Sequence, residues 1–263
     1  MLIKKIKKEL CKAKEKISDL IKLIPILFAQ RKNNHDMIII TGADSSHFKS
    51  LCQFLSSLLK HESNITVITY DLGLDQQEVE HINKLFPKIE TRKFNFESYP
   101  DYFNIKKNAG EYAWKPVIFC DVLEEFKTHV CWMDAGNLVT APLTILRKIT
   151  YQIGLYSPQS SGTIGEWTHP NCFQYLNGET NLLAERNLNG ACISMIYSND
   201  LALKIARAWK ACALTKDCIA PVGSNRSNHR QDQSVLSILA HQVGITKNMP
   251  ILNYEFKVQQ DID

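Results

Sequence analysis

From Met37 onward, short apolar runs alternate with longer amphipathic stretches. MIIITG, starting at Met37, places four apolar residues in succession before a glycine and reads as a strand buried on both faces. A helix is expected from about Ser46 to Lys60, a strand in ITVITYDLG from Ile65, an acidic helix near Asp75 to Leu85 and a strand in IETRKFNF. Such strand–helix alternation predicts a parallel sheet with helices on its faces. Residues 106–127 predict another helical segment, and HVCWMD a short strand ending at Asp134. Further on, QIGLY (152–156) and GACISMIYS (190–198) predict strands, separated by a Gly/Ser/Asn-rich loop and a short helix near His169 to Leu176. Helices follow from Asp200 towards Leu214 and from Gln231 to Val243.

The opening segment has a different character. MLIKKIKKELCKAKEKISDLIKLIPILF predicts a helix with Leu2, Ile3, Ile6, Leu10, Ile17, Leu20, Ile21 and Ile24 gathered on one side and lysines around the rest. Pro25 and the run RKNNHD (31–36) are expected to break or end it, so the chain divides into a basic amphipathic segment, 1–36, and a single catalytic domain, 37–263. Such a helix suits an anionic membrane surface, and it equally suits packing on its own domain with solvated lysines.

Charge sharpens that division. Residues 1–34 hold 10 Lys/Arg against 3 Asp/Glu, whereas the rest of the 263-residue chain is net −3. A body of that sign does not favour nucleic acid as a partner. Apolar residues make up 44% of the chain, which excludes a disordered or low-complexity protein. No apolar run reaches the length of a spanning helix, and the lysine-interrupted start is not a clean signal peptide, so the expected location is cytoplasmic and peripheral to a membrane. The eight cysteines form no CxxC array; most are expected to be buried thiols, with Cys212 and Cys218 close enough for a short loop to join them.

In an open α/β sheet, ligands lie beyond the carboxyl ends of the strands, so polar residues directly after apolar runs are the candidates. Thr41, Gly42, Ala43 and Asp44 follow the first strand, where the carboxylate can receive ribose or base hydrogen bonds or simply cap a helix. Neither GxGxxG nor GxxxxGK[ST] is present. Tyr70 and Asp71 can flank a base. Asp134, Ala135, Gly136 and Asn137 form a turn in which Asp134 can hold Mg²⁺ or Mn²⁺ against a diphosphate, or only cap the turn. His229, Arg230 and Asp232 bring a cation, an acid and a helix start within one turn, and Lys115 in YAWKP offers another cation.

The ordered series TGAD (41–44), YDLGL (70–74), EYAWKP (111–116), CWMDAGN (131–137), EWTHP (166–170), NGA (189–191) and HRQDQS (229–234) resembles a nucleotide-sugar glycosyltransferase of the GT-A fold. The similarity covers roughly residues 37–245. It is nearest to an uncharacterised glycosyltransferase-like group and more distant from the family-8-like transferases. The resemblance implies an α/β, Rossmann-like fold with a central, mostly parallel sheet, and a DxD motif whose first acid is Asp134. Gly136 stands at the second acidic position, which weakens the metal site. The resemblance also implies Asn189 and Gly190 on the sugar and acceptor side. Asp232 is then the preferred general base of an inverting reaction, with Glu166 second; in a retaining reaction Asp232 would orient the sugar.

The expected activity is transfer of a hexose or N-acetylhexosamine from a nucleotide diphosphate sugar, UDP-sugar favoured, to a glycan or lipid-linked glycan, with Mn²⁺ or Mg²⁺ as the candidate cofactor. The alternatives are a nucleotidyltransferase or sugar-phosphate hydrolase, which needs a richer acidic cluster, and a non-catalytic nucleotide- or glycan-binding protein.

Overall fold

The computed structural model describes residues 2–28 and 37–263, with side chains from residue 13 onward in the first stretch. The elements are helix α1 (Leu2–Phe28), β1 (Met37–Ala43), α2 (Phe48–His61), β2 (Thr66–Asp71), α3 (Gln76–Leu85), β3 (Glu90–Lys93), α4 (Trp114–Phe126), β4 (His129–Met133), β5 (Leu138–Val139) and α5 (Thr144–Ile153). They continue through β6 (Leu155–Tyr156), β7 (Gln159–Thr163), α6 (Ile164–Trp167), α7 (Pro170–Tyr175), β8 (Arg186–Leu188), β9 (Cys192–Ile196), α8 (Asp200–Ala213), α9 (Lys216–Ile219), α10 (Gln231–Gln242) and β10 (Phe256–Lys257).

The central sheet runs β3-β2-β1-β4-β9-β6. Its first four strands are parallel, and β9 lies antiparallel to both β4 and β6. Ile39 pairs with Val67 on one side and Cys131 on the other, and Ile38, Ile39 and Ile40 are all buried, which is why β1 reads as a continuous apolar run. The chain proceeds outward from β1 to β2 and β3, then returns to the opposite side of β1 for β4. That reversal opens a crevice at the carboxyl ends of β1 and β4, the place where open α/β sheets bind ligands.

Three expectations change. Residues 106–127 are not one helix: α4 starts at Trp114, because Asn108, Ala109, Gly110, Glu111 and Tyr112 all have φ between +49° and +61°. Gly110 is required in this left-handed turn, since a Cβ there would lie 2.2 Å from the Phe103 carbonyl oxygen. In QIGLY only Leu155 and Tyr156 are strand; Gln152 and Ile153 complete α5, which ends at Gly154 with φ +98°. Pro25 does not end α1, which continues to Phe28. A proline removes one backbone donor, while Leu23 and Ile26 stay buried and hold the last turns.

The opening helix is tied to the body. The buried Asp19 carboxylate accepts from the Ile251 and Leu252 backbone N–H groups (2.7 and 2.8 Å) and from the Tyr254 hydroxyl (3.1 Å). Lys22 Nζ donates to the Met249 carbonyl at 2.9 Å. The expected junction in RKNNHD lies outside the described residues. Cys212 and Cys218 are bonded to each other and join the end of α8 to α9.

Candidate active site

A cleft of about 380 Å³ opens where β1 and β4 end. Gly42, Ala43 and Asp44 line one wall, Asp134, Ala135, Gly136 and Asn137 another, and Tyr112, Trp114 and Lys115 close it from the left-handed turn and the start of α4. Residues following the two parallel strands meet here because the strand order reverses between them.

Lys115, in the cleft lining, gathers two acids distant in sequence: Asp134, which also lines the cleft, and Asp232, which lies behind them outside the lining. Its Nζ donates to Asp134 Oδ1 at 2.9 Å and to the Gly190 carbonyl at 3.2 Å, and lies 3.4 Å from Asp232 Oδ2. Lys115 is 3% exposed and Asp232 6%, so both charges are largely out of water. Burial pushes the Lys115 ammonium down, but the Asp134 and Asp232 carboxylates outweigh it and hold the group above the ordinary lysine range. For Asp232, burial raises the carboxyl above its usual value, Lys115 opposes that rise, and Asp134 adds to it. The 3.4 Å contact lacks hydrogen-bond geometry, leaving Asp232 Oδ2 without a hydrogen-bond donor among the described residues. Gly190 packs beside this oxygen: a Cβ there would lie 3.3 Å from it.

Asp134 is further oriented by Trp132, whose Nε1 donates to the same Oδ1 at 2.6 Å. Two residues apart at the end of β4, Trp132 and Asp134 fall on one face by the strand's twofold period. Asn137 is buried and bridges to the Ala191 carbonyl through Nδ2 at 2.7 Å, holding the turn against the start of β9.

The other candidates are placed differently. Asp44 caps the short turn Ser45–His47, accepting from Ser46 N at 3.0 Å and Ser46 Oγ at 2.6 Å, while also lining the cleft. Thr41 is buried within β1. Tyr70 is buried with its hydroxyl near the Arg92 charge, and Asp71 Oδ1 accepts from the Gly73 and Leu74 N–H groups; neither residue lines the cleft. Asn189 shapes its own turn, its Oδ1 accepting from Ala191 N at 2.9 Å. Glu166 forms a reciprocal cap with Thr163 and also lies outside the cleft lining. Arg230 lies with its guanidinium carbon 4.2 Å from the Trp167 ring centre, and Arg226 4.8 Å from that of Tyr112. Neither arginine has a carboxylate partner among the described residues. Burial and the nearby Arg226 charge both lower the pKa of Arg230.

His229 has a structural role. It is fully buried, donates from Nε2 to the Ile219 carbonyl (2.9 Å) and accepts at Nδ1 from His169 N (3.2 Å), so it cannot reach a phosphate. Burial pushes its pKa down from 6.5 to about 4. An unfolded histidine protonates below 6.5 and the folded one only near 4. The stability this group contributes is therefore complete above pH 6.5 and is lost as pH falls towards 4, by up to about 3 kcal/mol. Chemical denaturation across this window should show a steeper loss in the wild type than in His229→Gln, which retains a donor and an acceptor without titrating; equal slopes would refute the assignment.

Tyr112 and Trp132 lie within the motifs EYAWKP and CWMDAGN without being singled out as candidates, and Arg226 and Asp261 lie outside the motif series. Asp261 packs against Gly136: a Cβ at that glycine would lie 2.4 Å from Asp261 Oδ1. The terminal segment is fastened there by Gln260 N donating to the Gly136 carbonyl at 2.7 Å. Trp132 was signalled by its twofold spacing from Asp134, whereas nothing local connects Asp261 with Gly136.

Among the described residues, no three His, Cys, Asp or Glu side chains converge as an ion site. Asp134 Oδ1 is already engaged by an ammonium and an indole, and Gly136 supplies no ligand. This donor set does not fit a resident divalent ion; Lys115 provides the fixed positive charge beside Asp134 instead.

Residues 5–120 match the model of a family described as a protein of unknown function (DUF1647). No curated protein matches by sequence. The structure is similar to core-mannan synthase A (CmsA/Ktr4) from Aspergillus fumigatus in its Mn/GDP form, with a TM-score of 0.57 and 9% identity over 81% of this chain and 71% of that one. It is also similar to an active-site mutant of LgtC (TM-score 0.52, 15% identity, 77% of this chain and 70% of that one). A third similar structure is the apo WbbM bifunctional glycosyltransferase (TM-score 0.51, 11% identity, 85% of this chain). The chain spans 40% of the WbbM structure. These likenesses show the fold: an α/β, GT-A-like architecture with a central, mostly parallel sheet flanked by helices.

Proposed function

We propose that the protein transfers a hexose or N-acetylhexosamine from a nucleotide diphosphate sugar, UDP-sugar favoured, to a glycan or lipid-linked glycan. The supporting observation is Asp232 Oδ2, which receives no hydrogen bond among the described residues and pairs with Lys115, directly behind Lys115 and Asp134, two residues of the strand-end cleft lining in a GT-A fold. In this reading Asp232 Oδ2 takes the proton of the acceptor hydroxyl. The acceptor oxygen bonds to the anomeric carbon as the bond from that carbon to phosphate breaks, and the nucleoside diphosphate leaves. Lys115 keeps the two acids in place, and Arg226 and Arg230, stacked on aromatic rings and free of carboxylates, are the cations available to the departing diphosphate.

The proposed Mn²⁺ or Mg²⁺ cofactor is not carried into these steps, because the donor set does not fit it. The Cys212–Cys218 bridge is a feature of oxidising compartments and weighs against a cytoplasmic location. Nucleoside diphosphate binding is tested by thermal shift in the presence of EDTA. At about a hundredfold excess over Kd, UDP or GDP should stabilise the protein by about 2.7 kcal/mol. No shift with any nucleoside diphosphate would contradict the reading; a shift without turnover of any donor sugar and acceptor would favour the binding protein.

A further inference from the structure

The opening helix packs on the body with one face and presents an apolar ridge on the other. Asp19, Leu23 and Ile26 are buried, whereas Ile17, Leu20, Ile21, Ile24 and Phe28 are 59%, 55%, 66%, 54% and 83% exposed. Their spacing of three and four places them along one stripe of α1. Isolated exposed apolar residues are ordinary on protein surfaces, but a continuous ridge of this kind marks an interaction surface. The Asp19 network, anchored to Ile251, Leu252 and Tyr254, fixes which face of the helix turns outward.

Charge identifies what meets the ridge. Lys14 and Lys16 are exposed, and helical spacing sets them on opposite flanks of the stripe. Earlier in the sequence, the same three-and-four spacing continues through Ile3, Ile6 and Leu10 among Lys4, Lys5, Lys7, Lys8 and Lys12. The first 34 residues are net +7 and the rest of the chain net −3, so positive charge is concentrated on the segment that carries the ridge. Among the described residues, no helix is long and apolar enough to cross a membrane.

We propose that α1 docks the protein onto an anionic phospholipid surface, with the ridge from Ile17 to Phe28 at the acyl boundary and the flanking lysines at the headgroups. A second copy of the chain fits less well, because joining two ridges would bring two lysine-rich helices together. This inference goes beyond the transferase reading and does not depend on it.

The test is co-sedimentation of the full chain with vesicles of phosphatidylcholine alone and of phosphatidylcholine mixed with phosphatidylglycerol. The wild type should bind the anionic vesicles, ignore the neutral ones and be released by high salt. A triple variant, Ile17→Ser, Ile21→Ser and Phe28→Ser, should weaken binding about tenfold or more with an unchanged melting temperature, as these side chains lie outside the core. Reversing Lys14 and Lys16 to Glu should also weaken it. Undiminished binding by the triple variant, equal binding to neutral vesicles, or no binding would overturn the proposal. So would a lipid-free dimer of the wild type that the triple variant abolishes, which would assign the ridge to a second copy.

Discussion

Replacing Asp232 by asparagine should lower sugar transfer by about a hundred- to ten-thousand-fold while leaving nucleoside diphosphate binding in place. Asparagine keeps the shape of the side chain but removes the carboxylate that accepts a proton. Its effect should therefore fall on kcat, with the thermal shift given by UDP or GDP retained. The fold should tolerate the exchange, because Asp232 is a buried charge whose ionisation burial already disfavours, and Lys115 keeps Asp134 as partner. The direction of the pKa also fixes the pH profile. A general base works only when ionised, so activity should fall as pH is lowered through the Asp232 pKa. Burial moves that acid limb above the ordinary aspartate value of 3.8. A variant with unaltered turnover would remove Asp232 from the chemistry.

Lys115→Met should destabilise the protein by about 3–5 kcal/mol, the range for removing one partner from a buried ion pair. Methionine fills much the same volume, so lost packing contributes little. The cost comes from leaving Asp232 buried without its counter-ion and Asp134 without its ammonium donor. Urea denaturation measures the loss. The double variant Lys115→Met, Asp232→Asn should recover part of it, because the second change removes the charge the first leaves stranded. Strictly additive losses would mean that Lys115 and Asp232 do not interact energetically.

The contrast between these residues and others explains what could be read in the chain beforehand. β1, β2 and β4 were legible because each is an apolar run ending at a polar turn, and such turns supply Gly42 to Asp44 and Asp134 to Asn137 to the cleft. Lys115 and Asp232 were legible as candidates from their motifs. That Lys115 holds Asp232 and Asp134 together, and is not free for a phosphate, depends on packing between α4, β4 and the start of α10. Asp261 acquires its position only when the terminal segment folds back over Gly136, a contact between residues 125 apart that no local pattern encodes. His229 looked reactive within HRQDQS, but its two hydrogen bonds are spent on Ile219 and His169. The left-handed turn at 108–112 was hidden because only Asn108 and Gly110 among its five residues favour positive φ by chemistry, while Ala109, Glu111 and Tyr112 do not. The opening helix followed the reading in which it packs on its own domain: Asp19, Leu23 and Ile26 face the body, and the ridge beside them faces solvent.

The most direct experiment is release of nucleoside diphosphate from a panel of nucleotide sugars, with glycan and lipid-linked acceptors present, by the wild type and Asp232→Asn in EDTA and again with Mn²⁺. The proposed site requires selective release from one donor by the wild type, sustained in EDTA because Arg226 and Arg230 supply the cations for the departing diphosphate, and almost none by Asp232→Asn. Equal release by the two proteins, or release only when Mn²⁺ is supplied, would contradict a site built on Asp232 and Lys115.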